Sequence, residues 1–189
     1  YLTYLPHIDA INLNLAEGNM SKEGISIVPF DMKYLNDYYN GFNAEITKYQ
    51  WPDPFEHVED AEALLLKFLG EMQTGETLIY SVLSKEGAFL GSVEVHGLSE
   101  DCPELGIWII ESEQNKGYAY DALNAVLNYV RSNYHKTEFY YEADIRNTGS
   151  MKLLQKFGNK YEIIKQELEE VVTASGKELI LQGYVLRLK

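Results

Sequence analysis

Hydrophobic and polar positions change their period along the chain, and the changes mark its elements. Ile25 to Phe30 is a short, mostly apolar run that predicts a strand. Asp31 behind it suits the N-cap of a helix carrying Leu35, Tyr38 and Tyr39. From Ala61 to Met72, Leu64, Leu65, Phe68 and Leu69 share one helical face. Thr77 to Leu83 and Phe89 to Val95 predict paired strands joined by the turn Lys85-Glu86-Gly87. In the second, Val93 and Val95 fall on one face, and Ser92, Glu94 and His96 on the other. Glu104 to Ile110 reads as a buried strand. Ala119, Ala122, Leu123, Val126, Leu127 and Val130 then form one helical stripe that ends near Asn133. Over Glu138 to Ile145, Phe139, Tyr141, Ala143 and Ile145 alternate with Tyr140, Glu142 and Asp144. Asn147 suits the N-cap of a helix with Met151, Leu153, Leu154 and Phe157. Tyr161 to Ile164 and Leu179 to Leu188 are the closing strands, with the polar run Thr173 to Lys177 between them as a turn.

Pro52 and Pro54 exclude a regular helix or central strand from Tyr49 to Phe55, which reads as a core lid or as a substrate wall containing Trp51. Residues 1–24 form an extension of unassigned role. Within it Ile11, Leu13 and Leu15 alternate with asparagines as a short strand would, and Glu17-Gly18-Asn19 resembles a turn. Residues 25–189 read as one α/β domain with a mixed sheet flanked by helices. Its hairpins are antiparallel, and the strand–helix–strand unit around residues 104–145 is parallel.

Composition narrows the function. The chain has 189 residues, 46% of them hydrophobic, which suits one domain with a substantial core. No apolar run approaches the roughly 20 residues that span a bilayer, and residues 1–24 lack the basic start and apolar block of a signal peptide. The single cysteine, Cys102, allows no intrachain disulfide and points to a reducing cytoplasm. Four scattered histidines show no metal-ligand spacing, so no metal is expected. A net charge of −13 argues against nucleic acid and suits a cationic partner, although solubility alone also explains it.

The most informative stretch is Gln114-Asn115-Lys116-Gly117-Tyr118-Ala119, where the buried strand turns into the long helix. A glycine at that junction leaves the first helical amides free to face an anion, and its missing Cβ lets a phosphate come close. Lys116 adds a positive charge. Read alone, the stretch is also an ordinary polar turn before a core helix.

The pattern Gln-x-x-Gly-x-Ala resembles the acetyl-CoA pyrophosphate loop of the GNAT acetyltransferases. Three further segments resemble the RimJ/RimL-type members: the Trp51-Pro52 loop, Phe89-Leu90-Gly91-Ser92-Val93, and Asn147-Thr148-Gly149-Ser150 leading to Leu153, Leu154, Lys156 and Gly158. Glu104-Leu105-Gly106-Ile107-Trp108-Ile109 runs into the loop as the family's central strand does. Two departures stand out: Asn159 occupies the usual phenylalanine position, and Tyr120-Asp121 replaces a small or polar pair.

The resemblance implies a GNAT fold with a mostly antiparallel sheet, and acetyl transfer from acetyl-CoA to a primary amine in a ternary complex. It assigns Trp108, Ile109, Ile110, Gln114, Asn115, Lys116, Gly117, Tyr118, Ala119, Asn147 and Ser150 to the cofactor, and Ser150 also to the leaving thiolate. Acceptors include a protein N-terminus, an amino acid, a polyamine or an aminoglycoside, bound by a monomer or homodimer. Such an amine must be neutral to attack, and for a lysine-like group at pH 7 deprotonation costs about 4.6 kcal/mol. Glu94 and Glu104 are the candidate bases, with Glu142 third and Trp51 and Glu94 as substrate contacts. Each carboxylate, read from the sequence alone, is more often an exposed strand residue. The alternative function is a CoA- or ligand-binding protein of this fold without turnover.

Overall fold

The computed structural model describes residues 10–11 and 23–189. The strands are β1 (Ser26–Pro29), β2 (Thr77–Leu83), β3 (Phe89–His96), β4 (Glu104–Ile109), β5 (Glu138–Asp144), β6 (Tyr161–Val172) and β7 (Glu178–Leu188). The helices are α1 (Leu35–Gly41), α2 (Val58–Thr74), α3 (Tyr118–Tyr134) and α4 (Thr148–Gln155). One sheet runs in the order β1-β2-β3-β4-β5-β7-β6, antiparallel throughout except where β4 meets β5. Ile11 bridges to Ile27 outside β1, while Leu13, Leu15 and the Glu17-Gly18-Asn19 turn lie outside the described residues.

The two faces of the sheet carry separate cores. One packs Ala122, Leu123, Val126, Leu127 and Val130 of α3, with Leu153 and Leu154 of α4, against Val93, Val95, Leu105 and Phe139. The other packs Tyr38, Phe42 and Leu65 against Ile79, Phe89 and Trp108. From Val93 onward the alternation read at β3 and β4 sorts these faces: Val93, Val95, Leu105 and Ile109 turn toward α3, while Glu94 and Trp108 turn toward α1.

Both departures from the family pattern are absorbed in the α3 core. Tyr120 stacks on Phe157 with ring centroids 4.8 Å apart, and Phe157 meets Tyr161 edge-on. Asn159 is exposed, so the aromatic that fills the corner is Phe157. Asp121 is buried at 1% exposure and does not reach the cleft described below.

Two expectations about element length change. Asp31 does cap, accepting from the Lys33 amide at 2.8 Å, but it caps a short 3-10 turn over Met32–Tyr34 that leads into α1. β6 continues to Val172, well past Ile164. Its second half is an exposed edge with polar residues on both faces, so no two-residue period marks it. The register shifts between Lys165 and Leu168, and the buried Gln182 amide donates to the Gln166 carbonyl at 2.6 Å there.

The feature that places the site is the junction of β4 and β5. A single residue pair, Glu104 and Tyr140, joins them in register, reinforced by Tyr140 N–H donating to the Pro103 carbonyl at 2.9 Å. Beyond that pair the strands part, and the β4 edge from Leu105 to Ile109 has no ladder to β5.

Candidate active site

The parted strands open into two cavities. A cleft of about 520 Å³ lies between Ile107–Ile109 of β4, the loop from Glu113 to Tyr120, and the start of α4. A groove of about 340 Å³ lies beside it, walled by Gln50 and Trp51, β4 from Glu104 to Ile107, Tyr141 to Ala143, and Glu169. Tyr49, Gln50, Ile107, Asn147 and Ser150 border both cavities, so the two meet at these residues.

The loop is built as its sequence implies. Asn115 and Gly117 both take left-handed backbone, at φ of 63° and 88°, which turns the chain tightly before α3. Gly117 is the N-cap and brings no side-chain acceptor, so the first-turn amides of Tyr118, Ala119 and Tyr120 are uncapped toward the cleft. Gln114 fastens the loop to the strand, its Nε2 donating to the Ile109 carbonyl at 3.0 Å. Trp108 presents its backbone, because its ring is buried in the aromatic core against Tyr38 at 5.0 Å. Ile110 packs against the α1 core and stands off the cleft wall. Lys116 also stands off it: its ammonium lies 2.8 Å from Glu113, where a free charge beside the amides was expected.

The cations of the cleft come from elsewhere. Lys48, Arg146, Lys152 and Lys156 line it against two carboxylates, Glu45 and Glu113. The ring of Tyr49 lies under both Lys48 and Arg146, at 5.4 and 5.0 Å. Arg146 is itself held by the buried Asp144, with Nε to Oδ1 at 2.8 Å and Nη2 to Oδ2 at 2.7 Å. These bonds, helped by the Ile180 amide, overcome the burial that opposes ionisation and hold the Asp144 carboxyl at about 2. The groove has the opposite sign. It is lined by Glu104, Glu142 and Glu169 and by no cation. Within a chain of net charge −13, the neighbouring cavities thus divide into a basic and an acidic one.

The structure separates the two candidate bases. Glu94 faces inward: Oε1 accepts from Tyr38 Oη at 3.0 Å and Ser92 Oγ at 3.1 Å, and Oε2 lies 3.0 Å from His96 Nε2. Thr77 Oγ1 donates to Glu71 at 2.9 Å, so His96 Nδ1, at 3.3 Å, donates to Thr77 and Nε2 donates to Glu94. Burial opposes that imidazolium, but the Glu94 bond and charge, with Glu104 and Glu71, raise His96 above its ordinary value. Glu94 therefore has three donors and is not on the groove wall. It lies behind Gly106, where a Cβ would stand 3.6 Å from its Oε2.

Glu104 instead opens onto the groove. Loss of water and the charge of Glu142 raise its carboxyl above the usual range, with His96 pulling it partly back. Glu142 accepts from Tyr140 Oη at 2.8 Å, and Gly183 makes room for that tyrosine: a side chain there would overlap its hydroxyl.

Asn147 and Ser150 stand where the cavities meet. Asn147 Oδ1 accepts from the Ser150 amide at 3.0 Å, the N-cap read from sequence, and the residue also borders both cavities. Tyr141 Oη donates to the Ser150 carbonyl at 3.4 Å, and burial pushes that hydroxyl up to about 12. Trp51 is 56% exposed and forms an outer wall of the groove. Glu169, Lys48, Lys152 and Tyr141 were not singled out from sequence. Glu169 lies on the unmarked half of β6, and lysines on exposed helix positions carry no local signal of a shared cleft. Among the described residues no cluster of three or more His, Cys, Asp or Glu could hold a metal, and no helix is long and apolar enough to cross a membrane.

Comparison with known proteins follows this geometry. The family model for the acetyltransferase (GNAT) domain matches residues 25–160. No curated protein matches the chain. Among solved structures, spermidine N-acetyltransferase from Vibrio cholerae in complex with CoA and spermine gives a TM-score of 0.71 at 19% identity, over 86% of this chain and 95% of that one. RimL, a ribosomal L7/L12 alpha-N-protein acetyltransferase in complex with coenzyme A, gives 0.73 at 14% identity, over 89% and 96%. Mycobacterium smegmatis RimJ in complex with CoA-disulfide gives 0.70 at 16% identity, over 84% and 80%. At these identities the likeness to the solved structures is one of fold.

Proposed function

The chain belongs to the acetyltransferase (GNAT) domain family, and from that premise we propose that it transfers an acetyl group from acetyl-CoA to a primary amine on a cationic acceptor. The observation that carries this reading is the meeting of a basic cleft and an acidic groove at Asn147 and Ser150. Acetyl-CoA fits the cleft by charge and by donors. Its phosphates suit the uncapped amides of Tyr118 to Tyr120, with Lys48, Arg146, Lys152 and Lys156 around them. Its pantetheine arm suits the unladdered edge of β4 and the Asn147 side chain. When bound, it supplies an acetyl group activated as a thioester.

The remaining chemistry belongs to side chains. Glu142 and Glu169 draw the ammonium of the acceptor into the groove, and Trp51 covers its outer side. Glu104 takes a proton from that ammonium, directly or through one water, leaving the nitrogen lone pair free to attack. Glu104 lines the groove and Glu94 does not, so the base is Glu104. Glu94 organises Tyr38, Ser92 and His96 behind the groove floor. As the nitrogen bonds to the carbonyl carbon and the C–S bond breaks, Ser150, at the junction, would give its proton to the departing thiolate and take the second one that the nitrogen sheds. Relatives of this fold act on a polyamine and on a protein N-terminus, and the acidic groove suits the more highly charged acceptors of that range.

The test is a screen of amine classes that follows CoA release, then pH–rate profiles of Glu104→Gln and Glu94→Gln. Glu104→Gln lowers kcat by about 10²-fold or more, with acetyl-CoA affinity unchanged and the loss shrinking as pH rises. Glu94→Gln shows no such recovery with pH. A protein that binds CoA but acetylates no amine is a binding module, and the proposal fails.

A further inference from the structure

The tip of the β6–β7 hairpin closes on the loop that separates the two cavities, and one lysine sits at the centre of the contact. Lys177 Nζ donates to the carbonyls of Thr47 at 2.7 Å, Gln50 at 2.8 Å and Pro52 at 3.4 Å, and lies 3.4 Å from Asp53 Oδ1. Asp53 is gripped from the same hairpin by Thr173 Oγ1 at 2.8 Å, Ser175 Oγ at 2.7 Å and the Ser175 amide at 2.9 Å. The Ser175 amide, against some loss of water, is foremost in holding the Asp53 carboxyl at about 2. Lys177 N–H in turn donates to Thr173 Oγ1 at 3.2 Å, closing the turn on itself.

The carbonyls that Lys177 gathers belong to a segment with almost no regular structure of its own. Ile46–Tyr49 is a single 3-10 turn, and Gln50 to Asp53 carry no helix or strand. A loop of this kind has many backbone shapes open to it, and an ammonium bonded to three of its carbonyls selects one. That shape sets where Tyr49 and Gln50 stand between cleft and groove, and where Trp51 stands over the groove. Lys177 and Asp53 are both about four-fifths shielded and line neither of those cavities, so they act through the loop.

We infer that Lys177 and Asp53 form a clamp that fixes the acceptor wall Tyr49–Trp51, so that two residues outside both cavities set the affinity for the amine. The inference rests on the acetyl-transfer reading for the meaning of the groove. Both residues are positioning residues: the clamp orders the wall before the acceptor arrives, and losing it makes each binding event carry the cost of ordering.

The experiment compares wild type with Lys177→Met and Asp53→Asn by backbone hydrogen exchange and by steady-state kinetics with the amine found in the screen. Exchange at residues 47–53 speeds up in both variants while α3 and β5 keep their protection. KM for the amine rises about tenfold or more, as misplacement of a positioning group does. The kcat at saturating amine and acetyl-CoA stays at the wild-type level, and the affinity for acetyl-CoA falls less than that for the amine, because of the cleft cations only Lys48 lies on the loosened loop. A merely structural role lowers the melting temperature without this split. Unchanged exchange at 47–53 overturns the inference, as does faster exchange with an unchanged amine KM. If Lys177→Met and Asp53→Asn do not fold, Ser175→Ala, an exposed site that loses only side-chain bonds, decides by the same two readouts. A wild-type protein that acetylates no amine refutes the acetyl-transfer reading and the inference with it. Failure confined to the variants refutes the inference alone.

Discussion

In the proposed reaction Asn147 serves structure with one atom and the cofactor with another. Its Oδ1 caps α4 and its amide group borders both cavities. Asn147→Ala removes both roles and costs about 1 kcal/mol of stability through the cap. Asn147→Asp keeps the acceptor and loses the donor, so it melts near wild type but binds CoA more weakly by isothermal titration. Gly117 is the matching case on the other wall. At φ 88° any side chain is strained, so Gly117→Val loses stability as well as CoA affinity. Glu104 has the opposite sign of coupling. Its carboxyl is raised in the folded state, so folding favours its protonated form, and ionising it as pH rises through the folded value removes stability. Glu104→Gln is therefore at least as stable as wild type at pH 7 by thermal melting while being the slower enzyme. Asp144 runs the other way: its stabilising contribution is present above the ordinary carboxylate range and is lost as pH falls toward about 2.

At the scale of elements, what the sequence reveals depends on whether a segment has one wet face and one dry face. β3 is dry on both faces, yet the period of Ser92, Glu94 and His96 against Val93 and Val95 still gave the side Glu94 takes; β5 does have one of each, and its alternation gave its extent. α3 does as well, although it is buried around more of its circumference than its stripe implied. The far half of β6 has neither face dry, and its continuation depends on Gln182, a partner on β7 whose amide reaches the carbonyls of Gln166 and Glu167. Gln182→Leu leaves those carbonyls unpaired at the bulge and costs about 1–3 kcal/mol by denaturant unfolding. Glu169 lies just past that bulge, so the variant also displaces one carboxylate of the groove and raises the amine KM. The turn at Thr173 to Lys177 was legible as a turn, but its grip on a loop some 120 residues earlier in the chain was not. The loop from Gln114 to Ala119 was legible as a local motif of contiguous residues, but the cations of the cleft beside it were not. On the acceptor side Trp51, Glu104 and Glu142 were singled out from sequence, but Glu169 on the unmarked half of β6 was not, and neither was the groove that joins four distant segments.

Over the whole molecule, charge is sorted more sharply than its total suggests. A strongly acidic chain gathers four cations at one cleft and leaves the adjoining groove acidic. Raising ionic strength therefore weakens both ligands, each through its own cavity, and neither effect follows the net charge. The parting of β4 and β5 has a mechanical side. Across the middle of the sheet, where other neighbours share a full ladder, these two strands share one pair, and the molecule is two half-sheets leaning on a hinge of Glu104 and Tyr140. A ligand lodged in that wedge acts as a keystone, supplying the rungs the polypeptide lacks. At a hundred times its dissociation constant it adds about 2.7 kcal/mol to stability. Calorimetry with CoA shows that gain as a higher melting temperature, and hydrogen exchange locates it on the facing edges of β4 and β5. Without such a keystone, the two halves of the arch meet in register at one pair alone.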